Sequence, residues 1–244
     1  MVDKKAKKEN AIGVVSPHAG YIYSGPVAGQ VLSTIKPRST YIIMGPNHTG
    51  LGAQFSLSTA EAWKTPLGEV KINGKLAEKI KALSRYIQAD DAAHMAEHSV
   101  EVQLPFLQAL QKGFDFIPLV ISSASLETYR EVGKELARFI KDCKLEKDIT
   151  IIASSDMTHY EPHETAKKKD SMAIEAVLAL DEKKLVETVE RESITMCGYA
   201  PTAIMIVAAK LLGARSGRLV KYQTSGDTSG DYSSVVGYAG IVIT

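Results

Sequence analysis

Apolar runs too short for helices and too continuous to face water recur along this chain, and stretches with helical periodicity separate them. Residues 11–16, 40–44, 114–121 and 149–153 read as strands buried on both faces. The intervening segments 26–35, 100–110 and 126–140 read as helices, the last with Val132, Leu136, Phe139 and Ile140 facing inward. Asn73 is placed to cap a further helix carrying Leu76, Ile80 and Leu83, and residues 55–72 around Thr65-Pro-Leu-Gly predict a β excursion. Helices over 165–180, 183–190 and 200–212 and strands over 219–224 and 233–242 complete the pattern. Strands alternating with helices define an α/β chain with a central, mostly parallel or mixed sheet flanked by helices on both faces. With no repeat or linker, residues 11–244 are expected to form one domain behind a polar tail, residues 1–10.

Charge removes several function classes. The 29 Lys and Arg against 28 Asp and Glu leave a net charge of +1, so neither nucleic acid nor an anionic membrane is an expected partner. No apolar run approaches the roughly 20 residues of a membrane span, and the N-terminus lacks a signal-peptide core, so a cytoplasmic protein is expected. Cys143 and Cys197 are the only cysteines, too few for a disulfide framework.

Ligands of open α/β sheets collect beyond the carboxyl ends of the strands, where loops converge on a crevice. His18, His48 and His159, three of the six histidines, fall just after apolar strands, as does Asp156. If the strands are parallel, these loops share one edge. Cys197 lies in Thr195-Met-Cys-Gly-Tyr-Ala-Pro, where Pro201 suits the first turn of a helix; the helix N-terminus would favour a thiolate, while a buried structural thiol is the commoner fate of a lone cysteine. Two histidines and one anionic side chain leave open positions on Fe(II) or Zn(II), and a thiolate as the anion also admits copper. Cys143, near the end of an amphipathic helix, is assigned no function.

His94-Met-Ala-Glu97-His98 also matches the H-x-x-E-H pattern of inverted zinc peptidases, which would put both histidines on one helical face with Glu97 as the base. A solvated His94 near a helix start is the plainer reading of the same residues.

Five motifs in order then resemble one family: Ser16-Pro-His-Ala-Gly-Tyr-Ile-Tyr-Ser-Gly, Gly45-Pro-Asn-His, Glu97-His-Ser-Val-Glu-Val-Gln-Leu-Pro-Phe-Leu, Ser154-Ser-Asp-Met-Thr-His-Tyr and Cys197-Gly-Tyr-Ala-Pro. Together they resemble the Memo (mediator of cell motility) family from about residue 12 to the C-terminus. The resemblance implies a fold like that of the class III extradiol ring-cleavage dioxygenases. It also implies a metal pocket of His18, His48 and Cys197, with Asp156 and His159 lining it and His98 and Glu101 approaching it. The family pattern needs no histidine at position 94, which argues against the peptidase match. Relatives usually carry some tens of residues with an aromatic motif before the first strand, where this chain has about ten, mostly polar.

Two readings follow. In the first the protein is an oxidoreductase with a divalent metal, Fe(II) by preference over Zn or Cu, acting with oxygen on a small molecule. His159 would move a proton, since an imidazole ordinarily titrates at about 6.5; Asp156 would orient the substrate and His98 would contact it from the opposite wall. In the second, Cys197 in place of a carboxylate ligand disables ring cleavage and the pocket only binds a metal, a peptide or a phosphorylated tail. The resemblance further implies a functional association with a radical-SAM protein in microbes. A zinc hydrolase built on His94, Glu97 and His98 is the third alternative.

Overall fold

A computed structural model describes all 244 residues. In chain order the elements are β1 (Gly13–Ser16), α1 (Tyr21–Ser33), β2 (Thr40–Pro46), β3 (Phe55–Leu57), β4 (Ala62–Thr65), β5 (Gly68–Lys71), α2 (Gly74–Leu83), β6 (Gln88–Ala89), α3 (Leu104–Leu110) and β7 (Asp115–Ile121). They continue with α4 (Leu126–Asp142), β8 (Ile149–Ser154), β9 (His159–Glu161), α5 (His163–Leu178), α6 (Glu182–Arg191), α7 (Tyr199–Leu211), β10 (Gly217–Thr224), α8 (Gly226–Ser229) and β11 (Val235–Ile243).

The main sheet runs β10-β11-β1-β8-β2-β7-β3-β6, with β9 on β11, and β4 and β5 form a separate hairpin. Its centre, β1-β8-β2-β7, is parallel, while β11 is antiparallel to β1 and β3 antiparallel to β7. The sheet is therefore mixed, flanked by helices on both faces. Alternate residues of each central strand feed opposite cores: Val15, Ile42 and Ile151 enter a cluster with α2 and α4 to α7, whereas Val14, Ile43 and Ile152 enter one with α1 and α3. That two-sided burial is why these strands read as continuous apolar runs. No helix is long and apolar enough to cross a membrane.

Helix starts follow local chemistry. Asn73 caps α2 by accepting from the Leu76 N–H, and Ser125 caps α4 by accepting from the Thr128 N–H. One start differs from expectation: α1 begins at Tyr21, five residues before Pro26. Proline there costs a single hydrogen bond to the Ile22 carbonyl, and Ile22 is exposed, so water can satisfy that group. Residues 1–10 lie along this helix, the Asp3 N–H on Ser33 Oγ at 2.7 Å and Lys8 Nζ on the Ser33 carbonyl at 2.6 Å.

The H-x-x-E-H segment is not an α-helix. Residues Ala92–His94 form one 3-10 turn, and the chain then turns irregularly until a second, Glu101–Gln103. The shared helical face expected of His94 and His98 does not exist.

Helices α4 and α7 pack so closely that Gly133 is required between them: a Cβ there would lie 2.7 Å from Val207 Cβ and 2.8 Å from the Ile204 carbonyl. Gly133→Ala is expected to lower stability by about 1–3 kcal/mol through overpacking, seen as a lower urea midpoint with an unchanged slope.

Candidate metal centre

β1, β8 and β2 are adjacent and parallel, so the loops after them open on one edge of the sheet. Those loops carry His18, Asp156 and His48. Cys197 reaches the same edge from the turn before α7, and the ligating atoms of His18, His48 and Cys197 all lie within 4.8 Å of one another. Cys197 Sγ lies 3.4 Å from His18 Nε2. Two donors on one tetrahedral ion, with bonds of about 2.0–2.3 Å, stand roughly 3.5 Å apart, so the set fits a small transition metal.

The hydrogen bonds decide which nitrogen each histidine presents. Ser154 Oγ gives its one proton to the Ser99 carbonyl at 2.6 Å and accepts from Gln103 Nε2 at 2.8 Å. Its bond to His18 Nδ1, at 2.9 Å, must then be donated by the ring, which leaves the lone pair on Nε2, facing the thiol. His48 is fixed likewise, its Nδ1 lying 2.9 Å from Glu97 Oε1. Glu97 is buried, and burial opposes its charge, yet hydrogen bonds from the His48 ring, the His48 N–H and the Ser99 N–H hold its carboxyl down at about 2. An ionised Glu97 accepts only, so Nδ1 is the donor and Nε2 is free. Both imidazoles thus turn Nε2 to the cluster, as metal-ligating histidines oriented by outer partners do.

The two rings are shifted in opposite directions. Burial pushes His18 down to about 4 despite Asp156, keeping it neutral. The Glu97 hydrogen bond raises His48. Burial first, and then the Asp156 charge, push the Cys197 thiol up. This reverses the thiolate expected from the helix start: Cys197 precedes Gly198, the cap of α7, and desolvation outweighs the dipole. Without a cation the thiol keeps its proton.

Asp156 is turned to the backbone, its Oδ1 accepting from the His18 N–H at 2.8 Å and the Ala19 N–H at 3.3 Å. It thereby fixes the β1 loop, and its own N–H points to Cys197 Sγ at 3.3 Å. His98 stacks on His48 with centroids 5.1 Å apart and meets His18 edge-on at 5.5 Å. With His48 and Glu97 it makes a second possible donor group. His159 starts β9, its N–H on Thr195 Oγ1 at 2.7 Å and its Nδ1 2.9 Å from the Thr195 carbonyl. It shares the Cys197 turn, but no hydrogen bond or ring contact joins it to the three donors. Cys143 caps the end of α4, remote from all of these in the fold.

His94 stands apart, its Nε2 on the Ser56 carbonyl at 3.2 Å and its ring against Trp63. With Glu101, Trp63 and Tyr21 it lines a cavity of about 370 Å³ that Glu97 also borders. The peptidase alternative fails on this geometry, because Glu97 serves His48 and His94 joins no donor group. Ser154 and Gln103 were not singled out from the sequence. The Ser154-Ser-Asp motif contained the first and the Glu97-His-Ser-Val-Glu-Val-Gln motif the second, but neither pattern says that the two side chains meet, which depends on the packing of α3's approach against β8.

An α/β domain with two histidines and a cysteine gathered at the carboxyl edge of its parallel strands is the class that fold and site define. The family description "Memo-like protein" matches residues 1–242, and the chain belongs to the Memo family. A MEMO1 family protein of Methanopyrus kandleri is 49% identical over 234 residues, 94% of this chain and 82% of the relative. One from Methanocaldococcus jannaschii is 43% identical over 245 residues, 96% and 84% of the two chains. The crystal structure of an uncharacterized protein from Escherichia coli K12 shares the fold at a TM-score of 0.63 and 15% identity, over 94% of this chain and 98% of that one.

Two outcomes follow. Glu97→Gln is expected to weaken metal binding about 10- to 100-fold by titration calorimetry. In metal-free protein Glu97 stabilises the fold above its ordinary 4.5, and that contribution, on the order of 3 kcal/mol, is lost as pH falls toward 2; acid unfolding of Glu97→Gln should lack it. Secondly, because a metal must displace the Cys197 proton, apparent affinity should rise about tenfold per pH unit near neutrality. Cys197→Ser should abolish that slope, and Cys143→Ser should leave it intact.

Proposed function

We propose that this protein is a metal-dependent oxidoreductase of the extradiol-dioxygenase type, holding Fe(II) through His18, His48 and Cys197 and acting with oxygen on a small hydroxylated molecule. The observation that carries this reading is the pair of fixed imidazoles: Ser154 and Glu97 each take an Nδ1 proton, leaving two Nε2 lone pairs beside one thiol. Fe(II) held there would supply open coordination positions and one-electron chemistry toward oxygen.

The protein's part is orientation and proton handling. Glu97 keeps negative charge beside His48, and Asp156 fixes the backbone that carries His18. With Nδ1 engaged by a carbonyl, His159 has its lone pair on Nε2, the atom that would accept a substrate hydroxyl proton. His98, half-exposed beside both ligand rings, would give the second polar contact.

One observation favours a second reading, in which the pocket binds metal and catalyses nothing: His159 touches none of the three donors. Anaerobic loading with Fe(II), followed by oxygen-uptake measurements over catechols and other small diols, separates the two. The enzyme reading expects uptake that requires substrate and is lost in His159→Ala while iron content is unchanged. Tight iron binding without substrate-dependent uptake across the panel would establish the binding module instead.

A further inference from the structure

Strand β4 pairs with β5 and with no other strand, so one of its edges is unpaired. The groups on that edge follow from the register. Just beyond β5, the Ile72 N–H donates to the Glu61 carbonyl at 2.9 Å. Bonded and non-bonded pairs alternate along an antiparallel ladder, so Trp63 is bonded to Val70, whereas Ala62 opposite Lys71 and Lys64 opposite Glu69 are non-bonded pairs. The main-chain N–H and C=O of Ala62 and Lys64 therefore point away from β5, and no loop bonds to them.

That edge faces the cavity of about 370 Å³ beside the candidate metal centre. Ala62, Trp63, Lys64 and Thr65 all line it, although successive side chains of a strand point to opposite faces, and no residue of β5 does. Consecutive residues can share a cavity while their partner strand is excluded only where the cavity runs along the free edge. Tyr21, Leu104 and Pro105 contribute the rest of the wall, and Tyr21 is held edge-on to Phe106 at 5.4 Å. Glu97, which borders the same cavity, joins it to the His48 ring.

The charges are unequal. The lining carries two carboxylates, Glu97 and Glu101, and one ammonium, Lys64. Glu97 is committed to His48, but the Glu101 side chain has neither an ion pair nor a hydrogen bond within the fold. Its charge reaches the same wall, since burial first and then Glu101 raise the Tyr21 phenol. An occupant with a positive side chain complements it. The strand itself limits the size of the partner element: β4 has four residues and Pro66 follows it, which restricts pairing to a short segment and disfavours joining two copies sheet to sheet.

We infer that this groove is a docking site for an extended peptide segment of a partner protein, one that carries a basic side chain. The segment pairs with β4 through the outward groups of Ala62 and Lys64, and its basic residue lies against Glu101. Main-chain pairing supplies the attraction and the carboxylate supplies the selection.

The test uses the full chain and two capped pentapeptides, one alternating valine with lysine and the other alternating valine with glutamate. Trp63 is the only tryptophan in the chain and lines the groove, so its fluorescence reports occupancy. The lysine peptide, titrated to millimolar concentration with and without Fe(II), should give a saturable change. The glutamate peptide and a fully N-methylated lysine peptide should not. Lys64→Pro removes an outward N–H and no bond to β5, so it should weaken binding about tenfold, while Lys64→Ala should not weaken it. Glu101→Gln should weaken it about three- to fivefold, the scale of an exposed ion pair. Should Lys64→Pro fail to fold, the N-methylated peptide and Glu101→Gln still decide the matter. No saturable change with the lysine peptide, equal binding of the glutamate peptide, indifference to Glu101→Gln, or binding that survives N-methylation or a folded Lys64→Pro would each overturn the assignment. None of these outcomes depends on whether the candidate metal centre is catalytic.

Discussion

The single hydroxyl proton of Ser154 organises the centre. Oγ sits at the buried end of β8, gives that proton to the Ser99 carbonyl, and so meets Gln103 and His18 only as an acceptor. One commitment therefore ties three segments to the middle of the parallel strands: the β1 loop, the turn that carries Glu97 and His98, and the start of α3. An alanine at this position would leave the His18 Nδ1–H and the Ser99 carbonyl without this partner in the interior, while Gln103 would keep its bond to the Pro17 carbonyl, a loss larger than that of one neutral hydrogen bond. The candidate metal site is in this sense an extension of the β-sheet's own hydrogen bonding.

Much of this arrangement was legible before the structure, for a physical reason. Strands buried on both faces must be apolar throughout, so their ends are abrupt, and His18 and His48 stand two residues beyond such ends. Parallel pairing of β1, β8 and β2 then brings their loops to one edge. Pro201 located the helix start that carries Cys197. The less legible parts depend on competition between local and tertiary terms. Local dipole arguments favour a thiolate at Cys197, but desolvation of the half-buried thiol prevails. A helix beginning at Pro26 fits the local preference of proline, yet packing of α1 against the sheet extends it back to Tyr21.

Glu97 shows the same limit from another side. Its spacing from His94 and His98 suggests a base on a helix, but the segment contains only short turns, and the carboxylate folds back onto the His48 ring and N–H. The residue was visible and its role was not, since a three-residue spacing specifies a shared face only when a helix supplies the 3.6-residue period. His94, freed from that role, faces Trp63 and a different cavity.

Gly198 carries a consequence for the history of such chains. A Cβ at this position would lie 2.3 Å from the Ser154 carbonyl and 2.5 Å from Ser155 Cβ, so the backbone of α7's approach passes against the end of β8 with no room between them. The Gly198 N–H also donates to Ser155 Oγ at 3.0 Å. Positions 198 and 155 are thus coupled: drift at one is tolerated only with a matching change at the other or a displacement of the cysteine. The donor at 197 can be exchanged chemically, for sulfur or oxygen, far more freely than its route through the fold can be moved. Divergence of metal preference on this scaffold is accordingly easier by side-chain replacement than by rebuilding the loop.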